Sequence, residues 1–281
     1  MALLSNIKTI SVLGCGWLGL PLAEQLVAMG FTVKGSTTTE AKLPLLKAAG
    51  IMPYLIKLLP EPEGDSLTDF LETDVLILNV PPSRFANDME MFHPTQVQHI
   101  IEIIEKNSLE NVIFISSTSV YPEINKIVDE TDIDENIGGN KAILMAENLL
   151  LTNPSFRTTV LRMGGLMGKN RIPVKYFAGK KVKNGDNPVN YIHLTDAVRV
   201  IIEVIKQDKW HKVYNAVAPL HPTRKEVYTQ AAKALKLALP DFIDDTAVHY
   251  KIVSSEKLIG ELNYQFVYPN PLDFDYEPLS V

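Results

Sequence analysis

Three glycines carry the clearest chemical purpose in the chain. Gly14, Gly16 and Gly19 follow an apolar run, Ile10 to Leu13, in the spacing G-x-G-x-x-G. Gly14 lets the chain turn sharply out of a strand. Gly16 has no side chain to hold a pyrophosphate off the backbone, and Gly19 lets the next helix pack close to the strand. That helix directs free N–H groups and the positive end of its dipole at the phosphates. A strand before the glycines and a helix after them point to dinucleotide binding; the spacing alone would fit a glycine-rich turn with no ligand. Trp17 and Leu18 belong to the same turn, with the Trp17 ring expected to pack beside it. Cys15, the sole cysteine, is small enough for the turn's interior and is read as packing rather than redox chemistry.

The second strand is expected to end at Gly35, and the residues after it set the kind of dinucleotide. An acidic residue there normally bonds a ribose 2′-hydroxyl. None occurs before Glu40. Hydroxyls at Ser36, Thr37 and Thr38, with Lys42 nearby, suit a 2′-phosphate and favour NADP over NAD. Asn79, Val80 and Pro81 close the fourth strand, where the backbone should meet the cofactor's ribose and adenine edge.

Alternating strands and helices must position these groups. Strands are expected over 8–13, 31–35, 51–56, 74–80, 111–116 and 158–161. Helices are expected over 18–29, 40–49, 88–106 (with an irregularity at Pro94) and 140–151. The rhythm predicts an α/β fold: a Rossmann-type, doubly wound parallel sheet with a smaller C-terminal α/β substrate lobe. Residues 1–165 form the nucleotide-binding domain, to which 189–216 returns. Residues 166–188 and 217–281 form the lobe. A helix capped by Thr195 and another with a Thr223/Glu226 capping box are expected late in the chain.

The composition suits a water-soluble globular protein: 281 residues, 46% hydrophobic, 21% charged, net charge −6. The negative charge gives no reason to expect nucleic acid or an anionic membrane. No apolar run approaches the ~20 residues that span a bilayer. The first strand arrives too early for a signal peptide, so the cytoplasm is the expected compartment. With one cysteine and no H-x-x-x-H or H-E-x-x-H spacing, no metal site is expected.

Four stretches together resemble the extended, epimerase/dehydratase-like form of the short-chain dehydrogenase/reductase superfamily. They are Gly14–Gly19, Phe114-Ile-Ser-Ser-Thr-Ser-Val-Tyr-Pro122, Asn190-Tyr-Ile-His-Leu-Thr-Asp-Ala-Val198 and Tyr214-Asn-Ala216. The resemblance implies a catalytic Ser at Ser117 and a catalytic Lys at Lys141, which would also hold the nicotinamide ribose. It places Ser116 at the cofactor and puts Met163 and Gly164 in the turn that covers the nicotinamide. The family's acid/base Tyr should lie four residues before the lysine, where this chain has Ile137. Isoleucine cannot transfer a proton. Tyr121, near the same strand end, is a candidate substitute phenol, with packing in the turn as the favoured reading. Tyr176-Phe-Ala-Gly-Lys180 matches Y-x-x-x-K by pattern only, in a glycine-broken region. His193 and Asp196 are read as structural, His193 bonding a loop and Asp196 capping a helix.

The resemblance implies an NAD(P)-dependent oxidoreductase or epimerase/dehydratase acting on a sugar-like or nucleotide-linked small molecule. A homodimer through the helices near 88–106 and 140–151 goes with it. Two alternatives stay open. One is a non-catalytic NADP-binding sensor, which Ile137 favours. The other is a β-hydroxyacid-dehydrogenase-like enzyme, since Gly14 to Ala23 also resembles that group's opening; it requires an all-helical second half.

Overall fold

The computed structural model of the chain describes residues 7–59, 62–82, 89–133, 139–243 and 249–277. The first elements are β1 (Thr9–Leu13), α1 (Gly19–Ala28), β2 (Thr32–Thr37), α2 (Leu43–Ala48), β3 (Met52–Leu58), β4 (Pro62–Gly64), α3 (Leu67–Phe70) and β5 (Val75–Leu78). Next come α4 (Met89–Ile104), β6 (Asn111–Ser117), β7 (Lys126–Val128), α5 (Lys141–Leu151), β8 (Arg157–Met163) and β9 (Gly165–Met167). The chain then forms β10 (Lys181–Val182), β11 (Tyr191–His193), α6 (Leu194–Lys206), β12 (Val213–Ala216) and α7 (Arg224–Ala234). It continues through β13 (Asp241–Phe242), β14 (Lys251–Val253) and α8 (Glu256–Leu262).

Among the described residues, eight strands form one sheet in the order β12-β8-β6-β5-β1-β2-β3-β4. The pairs β1–β2, β1–β5, β2–β3 and β5–β6 are parallel, and β3–β4 is antiparallel. This is the Rossmann-type α/β fold. Its central strands are apolar because helices cover both faces of a parallel sheet. Ile10, Val12, Val75, Leu76, Ile77, Val112 and Ile113 are wholly buried.

The chain divides into two compact units. The first comprises Met1–Ser116, Asn140–Leu161 and Ile201–Val213. In it α1 buries Leu22, Ala23 and Leu26 and ends at Gly30, whose φ of 93° suits the turn. Helix α4 packs on α5 and runs through Pro94 without a break. The expected helix over 40–49 instead starts as a 3₁₀ turn, Glu40–Lys42, and becomes α-helical only at α2, which carries a proline in its first turn. Strand β4 and helix α3, the latter capped by Ser66 on the Asp69 N–H, fill a stretch that sequence reasoning leaves without elements.

The second unit comprises Ser117–Gly139, Arg162–Val200 and Tyr214–Val281. Three two-stranded parallel pairs build it: β9–β11, β7–β14 and β10–β13. Its apolar core gathers Ile172, Val174, Val182, Val189, Val227 and Tyr228. The Thr223/Glu226 capping box is present at α7. Helix α6 begins at Leu194, so Thr195 lies inside its first turn rather than at the N-cap; its N–H donates to His193 Nδ1 at 3.2 Å. Strands β9 to β14 leave no all-helical second half, which removes the β-hydroxyacid-dehydrogenase alternative.

Candidate functional site

In the first unit the glycine turn is tied to the strands on either side. The Gly14 N–H donates to Ser36 Oγ at 2.8 Å, and the Cys15 N–H to the Ser36 carbonyl at 2.8 Å. Asn79 Nδ2 donates to the Gly14 carbonyl at 2.9 Å, and the Asn79 N–H to the Leu13 carbonyl at 3.0 Å. Each glycine then has a separate reason. Gly14 has φ +106°, and a Cβ there would sit 2.5 Å from the Asn79 carbonyl oxygen. A Cβ at Gly19 would lie 2.1 Å from the Gly14 carbonyl oxygen. A Cβ at Gly16, by contrast, would meet no atom of the described residues within 4 Å. Packing therefore explains Gly14 and Gly19 but not Gly16, which lies exposed at the turn's rim. A bare backbone there fits the close approach of a pyrophosphate. Helix α1 has no side-chain cap and no acidic residue in its first turn, so nothing of its own opposes an anion.

Around the turn, Leu18 is buried and Trp17 half-buried. Cys15 is buried with its thiol pushed up to about 12 by that burial, a backbone hydrogen bond at Ser36 opposing weakly, so it stays neutral. Gly35 makes room for it, since a Cβ there would stand 2.7 Å from Cys15 Sγ. Strand β2 runs past Gly35 through Ser36 and Thr37, and both residues are buried. Ser36 Oγ accepts from Gly14, and Thr37 Oγ1 accepts the Thr39 N–H at 3.2 Å. Of the three expected phosphate donors, only Thr38 is exposed, as is Lys42. Val80 is half-buried and Pro81 exposed. Ser116 is buried and donates to the wholly buried carboxylate of Glu147 on α5. Lys141 is exposed at the first position of α5, after Asn140, whose Oδ1 accepts the Ile143 N–H at 3.2 Å. Ile137 lies outside the described residues.

In the second unit Ser117 is half-buried, and its Oγ accepts the Ser119 N–H at 3.1 Å across the 3₁₀ turn Thr118–Val120. Tyr121 closes that turn and is 1% exposed. Its hydroxyl donates to Asn215 Oδ1 at 2.7 Å and accepts from Arg162 Nη1 at 2.7 Å, with the guanidinium 5.1 Å from the ring centroid. Burial pushes the phenol up to about 12, although the Arg162 charge pulls the other way. This placement suits a brace and not a proton donor. Lys251 Nζ holds the Tyr121 carbonyl at 2.6 Å, and Gly139, with φ +89°, packs on the Val120 carbonyl. Lys251 has no signal in the sequence; Asn215 lies in the Tyr214-Asn-Ala216 stretch and Arg162 next to Met163 and Gly164, with no role read for either.

Met163 is buried, and Gly164 is small because a Cβ would stand 2.7 Å from the Asn190 carbonyl oxygen. Asp196 is wholly buried but does not cap its helix. Its carboxylate accepts from the Tyr264 hydroxyl at 2.8 Å and from the Val267 and Tyr268 N–H groups at 2.8 and 2.9 Å. His193 stands 2.9 Å from Asp275 Oδ1 and under the Tyr268 ring. Burial lowers its affinity for a proton, with Asp275 opposing. Tyr176 ends a 3₁₀ turn and is exposed, as is Lys180, so this pair lacks the helix a proton-relay couple would need. Among the described residues no cluster of His, Cys, Asp and Glu could hold a metal ion, and no helix is long and apolar enough to cross a membrane.

No protein-family model matches the chain. It is 33% identical over 269 residues to Protein YeeZ of Escherichia coli K12, covering 94% of this chain and 98% of that one. Solved structures with the same fold include MoeE5 in complex with UDP-glucuronic acid and NAD. That one has TM-score 0.78, 18% identity, and covers 95% of this chain and 97% of that chain. Another is UDP-glucuronic acid 4-epimerase from Bacillus cereus in complex with NAD, with TM-score 0.77, 18% identity, and 95% and 94% covered.

Proposed function

Because the chain belongs to the family of Protein YeeZ, an atypical branch of the extended short-chain dehydrogenase/reductase, epimerase/dehydratase-like fold, we propose that it binds NAD(P) and acts on a nucleotide-linked sugar. The observation that carries this reading is Gly16: a glycine that no contact among the described residues requires, at the rim of a turn braced by Ser36 and Asn79. Gly14, Gly16 and Gly19, the backbone of Trp17 and Leu18, and Asn79, Val80 and Pro81 hold the dinucleotide, with Ser116, Met163 and Gly164 on the nicotinamide side. NADP is preferred to NAD. Thr38 and Lys42 take the 2′-phosphate, while Ser36 and Thr37 shape the turn behind them. When bound, the cofactor supplies hydride chemistry. Lys141 holds the nicotinamide ribose and Ser117 orients a substrate hydroxyl. With Ile137 at the family's tyrosine position and Tyr121 locked between Asn215 and Arg162, the proton passes through Ser117, water or the substrate.

The groove of about 440 Å³ between α4 and α5, lined by Met91, Pro94, Met145 and Leu149, supports a homodimer through those helices. A second reading, a non-catalytic NADP sensor, draws on the same loss of a free phenol. Titration with NADPH and NADH, then a nucleotide-sugar panel followed at the nicotinamide absorbance, decides between them. Tighter NADPH binding with turnover on one sugar nucleotide is the expected result. Tight binding without turnover on any of them favours the sensor, and no binding of either dinucleotide refutes both.

A further inference from the structure

One face of the second unit carries a charge opposite to that of the whole chain. The net charge is −6, yet residues 148–185 contain no Asp or Glu and include Lys175, Lys180, Lys181 and Lys183. Residues 227–240 are likewise free of acidic residues and supply Lys233 and Lys236; acidic residues resume only at Asp186 and Asp241. The fold brings the two runs together. The 3₁₀ turn Pro173–Tyr176 packs on α7. Strand β10 pairs with β13, which places Lys181 opposite Asp241. A Cβ at Gly179 would stand 3.5 Å from that of Ala238, so the end of the first run meets the end of the second. Val182 is buried while Lys181 and Lys183 on either side of it are exposed, as strand alternation requires. Lys175, Lys180, Lys233 and Lys236 are exposed as well.

Apolar side chains left uncovered by the fold stand among these cations. Tyr176 is 68% exposed and Leu239 51%. Phe177 stacks one face on the Tyr228 ring at a centroid distance of 5.5 Å and remains 38% exposed. Tyr176 and Phe177 lie at the end of the 3₁₀ turn and Leu239 in the connection between α7 and β13, so all three project from bends of the chain. Exposed apolar groups clustered inside a cationic rim mark an interaction surface, and the charge calls for an anionic partner. Base stacking on a nucleic acid would employ the two rings but give the aliphatic Leu239 no role. An anionic bilayer employs all of them: apolar tips enter the boundary between headgroups and acyl chains, and lysines stay at the lipid phosphates and carboxylates. We propose that this face docks the protein on an anionic membrane surface, with Tyr176, Phe177 and Leu239 inserted and the surrounding lysines holding the headgroups. The attachment is peripheral and needs no spanning helix. The net charge, which gives no reason to expect such a partner, averages this face away. The proposal is independent of the nucleotide-sugar reading above.

Co-sedimentation of the full chain with phosphatidylcholine vesicles, with and without phosphatidylserine and at low and high NaCl, tests this. The parent should pellet with phosphatidylserine vesicles at low salt, leave them at high salt, and ignore pure phosphatidylcholine. Each lysine at such a surface contributes about fivefold, so Lys180→Gln combined with Lys236→Asn should weaken binding roughly 25-fold. Asparagine suits position 236, where φ is +54°. Tyr176→Ser combined with Leu239→Ser should weaken binding about tenfold through lost apolar burial. Both double variants should keep the parent's urea midpoint and NADPH affinity, since all four side chains are exposed. A parent that stays in solution with phosphatidylserine vesicles overturns the proposal, as does equal binding without phosphatidylserine. So does parent-like binding by both double variants, or displacement of the vesicles by a single-stranded RNA oligonucleotide that the parent binds more tightly. The lipid and salt dependence of the parent decides the matter even where a variant folds poorly.

Discussion

Replacing each glycine of the turn by alanine separates folding from binding. At Gly16 the backbone is not in the positive-φ region and the added methyl meets no atom of the described residues within 4 Å. Folding should therefore be unharmed, and loss of unfolded-state freedom should stabilise the protein by about 0.4–1 kcal/mol. On the proposed function the same methyl projects where a pyrophosphate oxygen would approach. Loss of one charge-assisted hydrogen bond, about 1.5–3 kcal/mol, would weaken NADPH binding by roughly 10- to 150-fold. Gly14→Ala behaves oppositely, since φ +106° and a 2.5 Å approach to the Asn79 oxygen act together. Gly19→Ala overlaps the Gly14 carbonyl at 2.1 Å. Both should lose about 1–3 kcal/mol or more of stability from overpacking alone. Denaturant unfolding and NADPH fluorescence titration on the three variants give the comparison. A Gly16→Ala protein that binds NADPH like the parent would show that no phosphate approaches there. One that unfolds more easily than the parent would show that the packing argument is wrong.

Three further outcomes are expected. Tyr121→Phe removes the bonds to Asn215 and Arg162 and should lower stability by about 1–3 kcal/mol, while any pH profile of turnover keeps its shape; a lost limb in that profile would restore Tyr121 as the acid/base. Asp196→Ala leaves the Tyr264 hydroxyl and the Val267 and Tyr268 amides without their acceptor. It should cost on the order of 3 kcal/mol and open the chain after Tyr264 to limited proteolysis, and a variant as resistant as the parent would contradict the clamp. His93, His193 and His221 all hold protons less well in the folded chain, each chiefly through burial. The unfolded chain therefore takes up protons first, and stability should fall as pH drops below about 6.5. Urea midpoints at pH 8, 6.5 and 5.5 check this, and a midpoint that rises on acidification is the contrary result.

Much of the first unit could be read directly because its signals are local. The run that became β5 is apolar throughout, β1 is apolar but for Thr9 and Ser11, and Gly30 and Gly50 close helices at the places their types suggest. The capping box at Thr223 was equally plain. What escaped depends on partners far along the chain. Ser36 lies in the β2–β3 ladder opposite Tyr54, and its hydroxyl accepts from Gly14, twenty-two positions earlier. Asp196 serves residues some seventy positions later instead of its own helix. Tyr121 looks like a spare phenol until Asn215 and Arg162 are placed against it. Short strands such as β7 and β14, three residues each, carry no periodicity long enough to detect.

The chain's sole cysteine sits inside the turn that would take the dinucleotide, sealed from solvent and held as a thiol. Only a thiolate reacts readily with alkylating reagents. The intact molecule is thus its own sentinel: Cys15 can be labelled only when this corner breathes open. Its modification rate reads the local opening equilibrium without any engineered probe, and a bound ligand would register as a slower clock.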